Sequence, residues 1–135
     1  MPRNSSGPRP IRGNNRDNTL NDTAGNDVMD GRGGDDVLIS TRGNDTMTGG
    51  SGADTFVFNP SGGTVTITDF EDGVDLLDIS AFGFDSQGGS ALYWGNLETW
   101  GNDTHIVFYD FSGEALRVVL EDIHHTQISI DDYIL

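Results

Sequence analysis

The chain has 135 residues, of which 22 are acidic and 7 basic, giving a formal net charge of −15. Only 34% of the residues are hydrophobic, 19 are glycine and none is cysteine. A chain without lysine lacks the basic surface that binds phosphates, which argues against nucleic acid as a partner. No disulfide can form, and no apolar run approaches the roughly 18 residues of a membrane span. Repulsion among the acidic groups opposes a compact fold, and bound divalent cations would offset it. They would also supply stability that so small a hydrophobic fraction does not provide.

The opening segment, residues 1–12, is rich in proline, serine and arginine. This composition is typical of a flexible leader or linker, so we expect it to lie outside the fold. Six of the seven arginines precede residue 43, so nearly all charged residues in the remainder of the chain are acidic.

From residue 13 onward the chain repeats with a period of nine. Position eight of every row is apolar, position six is Asn or Asp, and position four is glycine in all rows but the first. The pattern predicts a parallel β-roll over residues 13–57, in which each row forms a six-residue turn and a three-residue strand. We expect rows two apart to stack in one sheet. The rows are GNNRDNTLN (13–21), DTAGNDVMD (22–30), GRGGDDVLI (31–39), STRGNDTMT (40–48) and GGSGADTFV (49–57).

The turns of these rows offer the oxygen ligands that Ca²⁺ prefers. Ca²⁺ takes six to eight hard oxygens, and one turn supplies main-chain carbonyls and one carboxylate, about half of a shell. Two stacked turns would complete the shell and offset the ionic charge. Complete sites are therefore expected between turns 22–27 and 40–45, and between turns 31–36 and 49–54. The candidate ligand residues are Thr23, Gly25, Asp27, Arg32, Gly34, Asp36, Thr41, Gly43, Asp45, Gly50, Gly52 and Asp54.

Two further sites are predicted, for a total of two to four calcium ions. One pairs turns 13–18 and 31–36, where Asn18 lacks a charge and Arg16 replaces the turn glycine. The other lies at the junction TDFEDGVDLLDIS, with Asp69 and Asp75 as candidate ligands and with Asp72 and Asp78 nearby. A solvated acidic turn is the alternative interpretation of the junction.

Residues 58–135 are expected to form an antiparallel β cap over the open end of the roll. Their segments are longer and rich in β-branched and aromatic residues, and the turn DFSG joins two of them as a hairpin. The strands predicted from Phe56 onward are Phe56–Phe58, Thr64–Thr68, Ala91–Trp94, Thr104–Tyr109, Ala115–Leu120 and Gln127–Ile130.

The rows match G-G-x-G-x-D-x-U-x and resemble the RTX, or haemolysin-type, calcium-binding nonapeptide repeats. The segments GGSGADTFVF, ITDFEDGVDLLDIS and ISIDDYIL resemble the region C-terminal to such repeats in type I secreted proteases, lipases and alginate epimerases. The resemblance implies an all-β module that folds on binding Ca²⁺ and is secreted to the extracellular medium by a type I ABC transporter. It also implies an uncleaved C-terminal secretion signal, here Asp131, Asp132, Tyr133, Ile134 and Leu135.

Three other functions agree less well with the sequence. The three histidines, His105, His124 and His125, occur without an HExxH motif, and no serine lies in a G-x-S-x-G motif, so no enzymatic activity is predicted. An ice-binding ladder is absent from row position three. Calcium-dependent binding of a polysaccharide such as alginate remains the alternative, with aromatic side chains as its platform. Those aromatic residues are Tyr93, Trp94, Trp100 and Tyr109.

Overall fold

The computed structural model describes residues 9–59, 63–82, 93–110, 113–128 and 130–134. Within these ranges the chain is all-β, with short 3₁₀ helices at Ser80–Phe82, His125–Gln127 and Ile130–Asp132. No helix there has the length and apolarity to cross a membrane. The strands are β1 (Arg9–Arg12), β2 (Thr19–Asn21), β3 (Asp27–Asp30), β4 (Val37–Ser40), β5 (Asp45–Thr48), β6 (Thr55–Phe58), β7 (Thr64–Ile67), β8 (Leu76–Asp78), β9 (Tyr93–Trp100), β10 (Asp103–Asp110), β11 (Gly113–Leu120) and β12 (Tyr133–Ile134).

The predicted parallel β-roll is confirmed. Successive strands alternate between two sheets, one containing β1-β3-β5-β7 and the other β8-β6-β4-β2. Rows two apart are stacked in register, so that Met29 pairs with Met47 and Leu38 with Phe56. These four side chains at row position eight are fully buried between the sheets. The apolar column of the sequence therefore forms the core of the roll.

The roll is longer than the expected 13–57. Its start includes β1, which pairs in parallel with β3 although residues 9–12 were expected in the leader. Its end includes β7 and β8, because Ile67 pairs with Met47 and Leu77 with Phe56. Thr64–Thr68 was predicted in the cap but extends the roll, since its apolar residues continue the buried column. Residues 1–8 of the expected leader lie outside the described residues.

The predicted antiparallel cap consists of β9, β10 and β11. It continues the first sheet, because β11 pairs in parallel with β7. Cap residues such as Ile106 and Leu116 join the core cluster of the roll. The start of the predicted strand Ala91–Trp94, the centre of the DFSG turn and Leu135 lie outside the described residues.

The prediction of a strand at Gln127–Ile130 is wrong for Gln127, Ile128 and Ile130, and Ser129 lies outside the described residues. His124 and Gln127 form a reciprocal capping box that starts a 3₁₀ helix at His125, and these local hydrogen bonds prevail over β propensity. The C-terminus forms a strand instead, with Tyr133 paired to Leu77 of β8. This strand, β12, ends the second sheet as the cap ends the first.

One turn glycine provides a sharp test of the stacking. Gly43 has φ 91°, and a Cβ there would overlap the main-chain carbonyl of Gly25 in the neighbouring turn. We expect Gly43→Ala to lower the free energy of unfolding by about 2 kcal/mol or more. Gly25→Ala is the matched control, because Gly25 has no positive φ and its nearest atom is Thr23 Oγ1 at 3.8 Å. Equal denaturant midpoints for the two variants would contradict the observed stacking.

Candidate metal centre

The turns of the roll lie along two edges. The first turn edge carries turns 13–18, 31–36, 49–54 and 70–75, since β2, β4, β6 and β8 follow them in one sheet. The second turn edge carries turns 22–27 and 40–45, which precede β3 and β5. Its aspartate column ends there, because Val65 pairs with Asp45. The two edges therefore differ in the number of stacked acidic turns.

Carboxylates at position six link the turns of the first turn edge. The N–H of Asn18 donates to Asp36 Oδ1 at 2.7 Å, and the N–H of Asp36 donates to Asp54 Oδ1 at 2.9 Å. The N–H of Asp54 donates in the same way to Asp75 Oδ1 at 2.9 Å. All three aspartates are buried. Asp75, which was predicted only as a candidate ligand at the junction, thus continues the column.

The second carboxylate oxygens of Asp36 and Asp54 differ from the first in their hydrogen bonding. Asp36 Oδ2 and Asp54 Oδ2 are buried and have no hydrogen-bond partner within the described ranges. They face Gly31 and Gly49, where an added Cβ would overlap them, and the Gly49 carbonyl lies close to the Cβ position of Gly31. A buried acceptor without a donor is costly, whereas a cation bound by oxygens would satisfy it. The residues present therefore fit Ca²⁺.

Burial also makes the charge of these groups costly. It is the largest factor raising the pKa of Asp54 to about 6, and the carboxylates of Asp75, Asp36 and Asp69 raise this pKa further. The N–H of Asp36 has the opposite effect. Burial likewise raises the pKa values of Asp36 and Asp75. A divalent cation would stabilise the ionised forms of all these carboxylates.

The four junction aspartates do not act as one group. Asp69 accepts hydrogen bonds from Gly49 N and Gly50 N, at 2.9 and 2.7 Å, and so holds turn 49–54. Asp75 also accepts from Glu71 N at 2.9 Å. Asp72 is exposed. Asp78 accepts from the N–H and hydroxyl of Ser80.

The second turn edge brings Asp22, Asp27 and Asp45 together, with one carboxylate oxygen of each within 4.8 Å of the others. Here hydroxyl groups satisfy the carboxylates: Thr23 Oγ1 donates to Asp27 Oδ2 at 2.9 Å and Ser40 Oγ donates to Asp45 Oδ2 at 2.7 Å. Asp22 was missed as a candidate ligand. The sequence does indicate this ligand, because row position one is polar on this edge, as Asp22 or Ser40, and is glycine in the repeat rows of the first turn edge.

A column at row position five was also missed. Its side-chain oxygens accept the N–H of the residue stacked in the next turn, as Asp17 does from Asp35 and Asn26 does from Asn44, at 2.8 and 2.9 Å. The sequence carried the signal, because position five is Asn or Asp in the first four rows. Positions five and six therefore cross-link neighbouring turns in opposite directions.

The candidate residues at positions two and four adopt two conformations. Gly34, Gly43, Gly50 and Gly52 have positive φ. Gly25, Thr23 and Thr41 do not, so the glycine at position four of the first turn on the second turn edge does not adopt the left-handed conformation. Thr41 instead donates its N–H and hydroxyl to Asp22, each at 2.7 Å.

Arg32 is a non-glycine residue in the left-handed region, at φ 76°. Its carbonyl accepts a hydrogen bond from Ser51 N at 2.9 Å, which fixes the turn despite the steric cost of the Cβ. We expect Arg32→Gly to raise the free energy of unfolding by about 1 kcal/mol. Thermal unfolding in saturating Ca²⁺ measures this, with Arg42→Gly as the control at a residue without positive φ.

The family comparison agrees with this geometry. Residues 12–47 and 33–59 match the family model of the RTX calcium-binding nonapeptide repeat, four copies. No curated protein matches the chain. Among solved structures, the AlgE6R3 subunit of a mannuronan C5-epimerase from Azotobacter vinelandii is 25% identical, with a TM-score of 0.38, 98% of this chain covered and 86% of that chain. The AlgE6R2 subunit is also 25% identical, with a TM-score of 0.37 and coverage of 98% and 94%. Residues 12–59 of this chain are RTX calcium-binding nonapeptide repeats.

Proposed function

We propose that this chain is a module whose roll folds when Ca²⁺ binds between stacked turns, chiefly along the first turn edge. The observation that supports it best is a pair of buried oxygens, Asp36 Oδ2 and Asp54 Oδ2, that have no hydrogen-bond partner in the described part of the chain. They belong to one predicted turn pair, 31–36 with 49–54. Asp54 also links turn 49–54 to turn 70–75, because its N–H donates to Asp75 Oδ1, so we extend the proposal to this pair of turns. A further ion fits the cluster of Asp22, Asp27 and Asp45 on the second turn edge.

The binding energy of a few ions is on the scale of domain stability. Calcium sites of extracellular modules have Kd values of roughly 10⁻⁴ to 10⁻³ M, and at about ten times Kd one site adds about 1.4 kcal/mol. Two to four ions would then add about 3 to 6 kcal/mol, against about 5 to 15 kcal/mol for a whole domain. Calcium concentration can therefore decide whether the roll folds.

Calorimetric titration of the chelator-treated protein with CaCl₂ tests the binding directly. We expect a stoichiometry of two to four ions per chain and heats that include folding. Asp36→Asn and Asp45→Asn each remove one charge from a different turn edge, so each should lower the stoichiometry or weaken one class of sites. No heat of binding at millimolar Ca²⁺ would overturn the proposal.

The module would serve type I secretion of an extracellular protein. At low intracellular Ca²⁺, folding would bury aspartates that repel one another. The roll would therefore stay unfolded and able to pass through a transporter channel. The proposed signal, residues 131–135, includes β12, which pairs with β8 once the roll has formed. Coexpression with a type I ABC transporter tests this, with deletion of residues 131–135 expected to abolish export. Unchanged export of the deletion variant would contradict the signal.

A second candidate function is calcium-dependent binding of a polysaccharide. It is favoured by Trp100, which is 59% exposed. The side chains of Tyr93, Trp94 and Tyr109, which were expected to share the platform, lie outside the described residues. Titration with alginate oligosaccharides, in Ca²⁺ and in chelator, tests this candidate: binding in Ca²⁺ alone supports it, and no binding argues against it for this acidic polymer.

A further inference from the structure

The tip of the hairpin between β9 and β10 carries the exposed side chain of Trp100. Trp100 is the last residue of β9, and Gly101, at φ 68°, lies in the turn that leads into β10. Single exposed apolar side chains are common on proteins, so exposure alone indicates little. What distinguishes Trp100 is that its neighbours hold it in a defined orientation.

Three side chains fix the indole. Its Nε1 donates to Glu98 Oε2 at 3.0 Å. One ring face stacks on His105, with centroids 4.7 Å apart and an interplanar angle of 24°. The guanidinium of Arg117 lies 5.5 Å from the indole centroid, and its Nη1 is 3.0 Å from His105 Nδ1. Because His105 and Arg117 contact each other, we place both on the same side of the indole, with the exposed surface on the opposite side.

The charges around this free face are mainly negative. Glu98 and Asp103 share the outer surface with the indole, since Glu98 pairs with His105 and Trp100 with Asp103 across the two strands. Asp103 Oδ1 accepts from Asp122 N at 2.9 Å, which adds a third acidic residue. The single nearby cation, among described residues, is Arg117, which already contacts the imidazole and the indole.

We propose that the free face of Trp100 binds one pyranose ring of an uncharged polysaccharide, an inference that deepens the second candidate function. The apolar C–H face of a pyranose stacks on a rigid indole at little entropic cost. Its hydroxyl groups donate to the carboxylates of Glu98 and Asp103, which are acceptors without a proton to give. A uronate polymer would bring its own carboxylates against these groups and against the net charge of −15, so charge selects a neutral sugar.

The test uses the full chain saturated with Ca²⁺ and three hexasaccharide probes, of β-1,4-linked glucose, β-1,3-linked glucose and β-1,4-linked mannose. Calorimetry and tryptophan fluorescence measure binding, with hexamannuronate as the acidic comparison. We expect at least one neutral probe to bind. Trp100→Ala should weaken that binding about tenfold or more, and Trp100→Phe should retain part of it. Val28→Ala changes another exposed apolar side chain of the same sheet and should have no effect.

The outcomes separate this proposal from the function it extends. Binding of hexamannuronate alone, binding that Trp100→Ala leaves unchanged, or no binding of any neutral probe would each overturn the subsite. Circular dichroism before any glycan is added reports whether Ca²⁺ folds the chain and each variant. A failure of calcium-driven folding is therefore seen independently of a failure of sugar binding.

Discussion

Chelation of Ca²⁺ is expected to abolish the β-sheet circular dichroism of the roll. The strands of the repeats contribute about one fully buried side chain each, such as Met29 or Leu38, which is worth only about 1.5 to 3 kcal/mol. Ordering nine residues costs about 1 to 2 kcal/mol per residue. In addition, the Asp36, Asp54 and Asp75 carboxylates would be buried without a counter-charge. The net result should be an unfolded repeat region in EDTA at neutral pH.

Restoring Ca²⁺ should restore the signal, with a steep dependence on concentration because the proposed neighbouring sites have turn 49–54 in common. Equimolar Mg²⁺ should not restore it, since Mg²⁺ demands a small octahedral shell and gives up its water reluctantly. NaCl at matched ionic strength controls for general screening of the charge repulsion. An unchanged spectrum in chelator, or full recovery in NaCl alone, would show that calcium is not what holds the roll together.

The repeat region was largely predictable from the sequence because its period is strict. A buried apolar residue every nine positions can face one core only if alternate rows stack in parallel, and Met29, Leu38, Met47 and Phe56 do so. The period fails afterwards: Phe56, Ile67 and Leu77 are separated by eleven and ten residues. Insertions of one or two turn residues hide these rows from a search at fixed period, although the sheet tolerates them.

The C-terminal strand could not be predicted for a different reason. β12 is two residues long, and its pairing with β8 joins residues far apart in sequence. Neither periodicity nor composition signals such a contact. Likewise, Asp36 and Asp54 were visible at row position six, but the hydrogen bonds that leave one oxygen of each without a partner among the described residues depend on the turn geometry.

Asp54 occupies the centre of the first turn edge, so its substitution should have the largest effect of any single residue on calcium binding. Its Oδ1 accepts from Asp36 N and its own N–H donates to Asp75 Oδ1, which makes it common to two turn pairs. Asp54→Asn keeps an oxygen for the first hydrogen bond but removes the charge. We expect the Ca²⁺ concentration at the midpoint of folding to rise about 10- to 100-fold, as for the loss of a charged partner worth about 1.5 to 3 kcal/mol.

A calcium ligand differs from a structural aspartate in what the loss of its charge does to folding without Ca²⁺. The pKa of Asp54 is raised to about 6 in the calcium-free fold. A carboxyl group whose pKa rises on folding from 3.8 to about 6 binds protons more readily when folded, so the stability it confers falls as the pH rises through this interval and its ionised form opposes folding at pH 7. Asp54→Asn should therefore not oppose folding of the calcium-free chain at pH 7, so a higher calcium midpoint in this variant would report weaker calcium binding and not a less stable fold. Asp72→Asn removes the same charge from an exposed side chain and should change stability by less than about 0.5 kcal/mol. Equal calcium midpoints for the two variants would rule out Asp54 as a ligand, whereas a midpoint raised only in Asp54→Asn would support calcium binding between turns 31–36, 49–54 and 70–75.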